Sequence, residues 1–166
     1  MPSWLNNLLA PISELRDNPE MLHAAAVHLP LALAVLGAPL ALIAIAPWSR
    51  ARAIRIVALI GYTVLLVASL VAVNSGEAAH ALIPSTLPEY IWDDINRHEL
   101  LARNIGYVSF VTIICYAFSL VPNKKTATLA SVAACLGALT TLAIVIQVGH
   151  QGGKLVYEHG LGTPPL

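Results

Sequence analysis

Charge is what this chain has least of. Its 166 residues carry nine Lys and Arg against nine Asp and Glu, so only 11% are charged. A soluble domain of this size could not cover its surface with so few charges. The 57% hydrophobic content and a mean hydropathy of +0.73 suit lipid contact instead. Net charge is zero, and no basic tract or aromatic–basic interleave points to nucleic acid, which is excluded as a partner. Cysteine is scarce as well. Cys115 and Cys135 both fall in apolar segments, which suits packing better than a disulfide framework. No Cys-x-x-Cys-His is present, so covalent c-type haem attachment is excluded. Residues Met1 to Glu20 lack a basic start and are not read as a signal peptide, so the spans themselves are expected to direct insertion. No nucleophile–base pair or phosphate loop stands out, which argues against a stand-alone enzyme.

What is present is a set of four apolar stretches, each near the roughly 20 residues that a membrane helix needs. They are predicted at His23–Ala46, Ile54–Asn74, Asn104–Val121 and Thr126–Gly149. The first contains Pro30 and Pro39, which predict kinks, because neighbouring helices can satisfy the freed carbonyls. Ala24 to Ala26, Gly37, Gly61, Ala133, Ala134 and Gly137 would let helices approach closely. The expected fold is an all-α integral membrane protein, an up-down bundle of four transmembrane helices with both termini on the outer side. Three regions follow: a 1–20 amphipathic interfacial helix, a 21–150 bundle and a 151–166 interfacial tail. In the first, Trp4, Leu5, Leu8, Leu9, Ile12 and Leu15 share one helical face. Polar Gln147, Asn104 and Asn74 lie at span ends, so no polar track is expected across the membrane, and the inner half of each span reads as inert.

The polar residues are sorted by side. The two short loops carry Arg50, Arg52, Arg55, Lys124 and Lys125 and no acid. Every carboxylate falls at the other end: Glu14, Asp17, Glu20, Glu77, Glu89, Asp93, Asp94, Glu99 and Glu158. The rule that basic loops stay in the cytoplasm places the acidic end outside, in a bacterial inner membrane. All six histidines fall at that acidic end too: His23, His28, His80, His98, His150 and His159. Each of the four spans delivers one to a similar depth.

Haem b needs one or two axial imidazoles and an apolar slot, both of which four-helix bundles provide. His28 and His98, on diagonally opposite spans, are the expected axial ligands and metal-binding residues. His23, His150 and Glu99 are further cofactor-binding candidates, and His80 and His159 are read as bystanders. His23 and His28 are five residues apart, about 140° around a regular helix, so only one should face the bundle. With Leu29 held from helical geometry by Pro30, one reading turns His28 inward and leaves His23 at the rim. The rival is a non-haem site of histidines with Glu99 or Glu77, suiting zinc, copper or iron.

Several pieces of the chain resemble a bacterial family of four-helix membrane proteins that carries a domain of unknown function, the 2231 domain. They are Leu22-His23 with Val27-His28-Leu29-Pro30, Ser75-Gly76-Glu77-Ala78-Ala79, His98-Glu99, and Gly152-Gly153-Lys154-Leu155-Val156-Tyr157 with His159-Gly160. Ala24 stands where that family more often has Pro, and His80 where an acid is expected. The resemblance implies the four-helix topology and a haem-binding, electron-transfer role, carried by His23, His28, His98 and Glu99. The expected function is therefore a b-type cytochrome-like protein or subunit. It would hold one haem b or two near the periplasmic face. Its partners would be the lipid bilayer, a quinone or redox protein, and a membrane complex or homo-oligomer. The alternatives are a non-haem metal protein and a structural subunit of a larger complex.

Overall fold

A computed structural model describes residues 2–46 and 51–162. Arg50 and the end of the C-terminal tail lie outside the described residues, as do the side chains of Leu8, Leu9, Ile12 and Arg16. Among the described residues the chain is all-helical: α1 Ser3–Asp17, α2 Pro19–Ala26, α3 His28–Ala44, α4 Ala51–His80, α5 Glu89–Phe118 and α6 Lys124–Tyr157. Four helical stretches are long and apolar enough to cross a bilayer, α2 with α3 forming the first.

Local chemistry sets the ends. The Asn18 side chain accepts from the Met21 amide at 3.1 Å, and Pro19 fills the first helical position, where no amide donor is required. Asn123 caps α6 the same way, accepting from the Lys125 and Thr126 amides at 3.0 and 3.2 Å. Between α2 and α3 only Val27 interrupts the helix, and its backbone stays right-handed helical, so Pro30 bends the span without breaking it. Pro39 lies inside a continuous α3.

Two helices differ from expectation. The span predicted from Asn104 begins instead at Glu89, so that Glu89 to His98 form the first third of a single 30-residue α5. The span predicted to end at Gly149 continues through Gly152 and Gly153, and α6 runs on to Tyr157. The left-handed positions that favour glycine come after the helix, at Gly160 and Gly162, with φ 69° and 74°. Packing of α6 along α5 overrides the weak helix propensity of Gly152 and Gly153.

The bundle is apolar outside and small or hydroxylated inside. Leu36, Ile60, Val67, Phe110, Leu129 and Leu136 are all more than half exposed, a surface that suits acyl chains. The buried face recurs at three- and four-residue spacing: Ala58, Tyr62, Leu65, Ser69, Ala72 and Ser75 on α4; Ile105, Ser109, Thr112 and Tyr116 on α5; Ser131, Ala134, Ala138, Thr141 and Val145 on α6. Small residues of this kind let membrane helices pack closely where hydrophobic exclusion supplies no drive. The basic end is closed by Arg55, which donates to the carbonyls of Ala44 at 3.1 Å and Ser119 at 3.2 Å, and by Arg52, which donates to that of Leu120 at 3.0 Å.

Candidate functional site

The end of the bundle away from Arg52 and Arg55 carries the histidines, and the structure sorts them into three settings. In the first, His23 of α2 and His98 of α5 face each other across the bundle. Their ring centres are 6.4 Å apart and their planes nearly perpendicular, at 82°. His23 Nδ1 lies 2.9 Å from the Ala72 carbonyl oxygen. A carbonyl can only accept, so Nδ1 holds the proton and Nε2 keeps its lone pair. This is the bond by which ligand histidines are commonly oriented. The other Ala72 carbonyl partner is the Ser75 hydroxyl, at 3.0 Å.

Each ring of the pair rests on a glycine. A Cβ on Gly76 would lie 3.0 Å from His23 Cε1 and Nδ1, and one on Gly152 would lie 3.2 Å from His98 Cε1. Both positions therefore require the absence of a side chain. His98 Nδ1 is buried and makes no hydrogen bond, although the ring lies near the Val148 backbone and the Glu99 carboxylate. Helix α2 packs on α4, and α5 packs on α6, while α2 and α5 share no extensive backbone approach. The two imidazoles thus bridge a gap between helices that do not otherwise pack together.

In the second setting His80, at the end of α4, bonds through Nδ1 to Glu99 and lies against Trp92, ring centres 5.2 Å apart. The network continues outward: Arg103 lies 3.8 Å from Glu99 and donates to Glu77 at 2.9 Å. In the third, Asp94 ties the helix ends together, meeting Lys154 Nζ at 2.8 Å and His159 Nε2 at 2.9 Å, with Tyr90 stacked near His159. His80 and His159, read as bystanders, are in fact bonded links between α4, α5 and α6.

The structure does not bring His28 to His98. His28 is exposed at the first position of α3, and His23 holds the inward place. The five-residue separation allows only one of them inside, and the helical geometry of Val27 turns His23 toward α4. His150 is exposed on the outer side of α6, beside a shallow cleft of about 280 Å³ that also touches Lys154, Tyr157 and Glu158. Glu99 serves His80 and Arg103 rather than the ring next to it in sequence. Two Glu-x-x-His spacings, Glu20 with His23 and Glu77 with His80, are of the kind that builds di-iron sites between facing helices. They are not used so here: Glu20 is exposed, and Glu77 is held by Arg103. No three His, Cys, Asp or Glu side chains converge among the described residues.

The interior also differs from the inert one expected of the sequence. Among the described residues nine buried ones carry hydroxyls on or at the ends of α4, α5 and α6: Tyr62, Ser69, Ser75, Ser109, Thr112, Tyr116, Ser119, Ser131 and Thr141. Thr112, Thr141 and Ser131 donate to carbonyls four residues earlier in their own helices. Tyr62 and Tyr116 stack at 5.7 Å in mid-bundle. Their spacing was the available sequence sign. No family model matches the chain, and neither a curated protein nor a solved structure is similar to it.

Proposed function

We propose that this chain is a membrane-embedded haem b protein or subunit that transfers electrons, with His23 and His98 as its axial pair. The observation that carries the reading is the separation of the two rings, 6.4 Å between centres. Two imidazoles on opposite sides of one metal, at metal–nitrogen distances of about 2.0–2.1 Å, have ring centres roughly 6.4 Å apart. The donor set fits as well. A porphyrin brings four nitrogens of its own, so two protein ligands suffice, whereas a non-haem ion with only these two would lack donors.

Bound there, haem would supply a one-electron iron couple. The residues of the chain have separable parts. Ala72 fixes the tautomer and plane of His23 through its carbonyl. Gly76 and Gly152 admit the two rings, and α2 and α5, which carry them, are not otherwise packed together. On the basic-loop rule this end faces the periplasm of a bacterial inner membrane, where a quinone or a redox protein would exchange electrons with it.

The reading is tested by expressing the full chain with haem supplied and recording its spectrum in detergent. A Soret band with resolved reduced α and β bands is expected. Purified, folded protein that takes up no haem would sink the proposal.

A further inference from the structure

We infer that the bundle interior is a hydrated path for protons, joining the basic end to the imidazole pair. Four hydroxyls carry the argument. Those of Tyr62, Ser69, Ser109 and Tyr116 are at least 96% buried, since their residues are exposed by 1, 4, 0 and 0%. Those of Ser69, Ser109 and Tyr116 have no hydrogen-bond partner, and that of Tyr62 has only the Thr141 side chain within reach. In a membrane protein such groups are costly, and packing alone does not explain them. Phe at 62 and 116 and Ala at 69 and 109 would fill nearly the same volumes without leaving an unmet donor. Buried polar groups left in this way are commonly met by ordered water.

The four are not scattered. They lie at two levels of α4 and α5: Tyr62 beside Tyr116, ring centres 5.7 Å apart, and Ser69 and Ser109, each seven residues or about 10 Å further along its helix, with Thr112, Thr141, Ser119 and Ser131 as the other buried hydroxyls of α5, its C-terminal end and α6. Each of those donates to a carbonyl or lies on the same buried face and keeps lone pairs free to accept. Much of the facing surface is small, with Ala34, Ala38 and Ala41 on α3, Ala58 on α4, and Ala134 and Ala138 on α6, while Leu65 and Ile105 pack among the hydroxyls. At one end Ser75 and His23 share the Ala72 carbonyl. At the other, Arg55 holds the carbonyl of Ser119. From Ser75 to Arg55 helix α4 rises roughly 30 Å, which matches the bilayer's hydrocarbon core of about 30 Å.

Alternating hydroxyls and waters transfer protons by exchange. Each hop forms one O–H bond and breaks the next, so a proton accepted at one end is matched by one released at the other, with no electron moved. Arg55, whose charge opposes entry of a free cation, sets the resistance of the basic end.

The path does not depend on haem, and its test is separate. The full-length chain is reconstituted into liposomes holding a pH-sensitive dye, with potassium and valinomycin setting the membrane potential. Proton flux above that of empty liposomes is expected, falling to their level in the Tyr62→Phe/Tyr116→Phe double variant. Circular dichroism and gel filtration of that variant establish that it is folded. If it is not, Ser69→Ala/Ser109→Ala takes its place with the same expected loss. Wild-type flux equal to that of empty liposomes overturns the inference, as does flux that a folded hydroxyl-free variant retains. Flux from protein that shows no Soret band leaves the proton path standing and removes only the haem reading.

Discussion

Two histidine pairs occupy the same end of this bundle and are built on different terms. His80 is tied to a carboxylate, Glu99, which Arg103 in turn approaches, and its ring is covered by Trp92. His23 and His98 have no carboxylate bonded to them. They have a carbonyl, two glycines and each other, and His98 Nδ1 is left unmet. An imidazole bonded to a carboxylate is complete as a link between helices. An imidazole held in place with a nitrogen to spare can still bind something. Position at the histidine end is common to both pairs, and environment separates them.

That contrast can be broken first at the ligands. His98→Ala is expected to abolish haem uptake, while His80→Ala keeps it, as read from Soret absorbance per mole of folded protein. Equal losses from both would erase the distinction. The cradle comes next. In Gly76→Val the new side chain meets His23 within 3.0 Å, whereas Gly61 opens on empty space. Gly76→Val should weaken haem binding about tenfold or more, equivalent to ~1.4 kcal/mol, with Gly61→Ala unchanged in the same titration. The smallest effect is expected at the linked pair. Glu99→Gln should lower unfolding stability by no more than about 1 kcal/mol, since the group is partly exposed, and leave the haem spectrum as it was.

Much of the architecture was legible because long apolar runs and sorted charges have few interpretations. The four spans, their alternation and the gathering of histidines at one end all follow from the position of Arg52, Arg55, Lys124 and Lys125 opposite the acids. Side-chain direction was less legible. Spacing alone required one of His23 and His28 to face outward, but the choice rested on the backbone at Val27, which stays helical despite Pro30. The extension of α6 past Gly149 was hidden because the reason for Gly152, room for the His98 ring, lies on another helix. The hydroxyl column was written in the sequence as Tyr62, Ser69 and Ser75, then Ser109, Thr112, Tyr116 and Ser119. Hydropathy averages dilute such a pattern, and only the burial of these positions on one face of each helix reveals it.

The central claim is that His23 and His98, and not His28, hold the cofactor. Electron paramagnetic resonance of the oxidised, haem-loaded protein tests it most directly. Ring planes at 82° predict a strongly anisotropic low-spin ferric signal. It should persist in His28→Ala and disappear in both His23→Ala and His98→Ala. A signal that vanishes with His28, or survives the loss of either His23 or His98, would contradict the account.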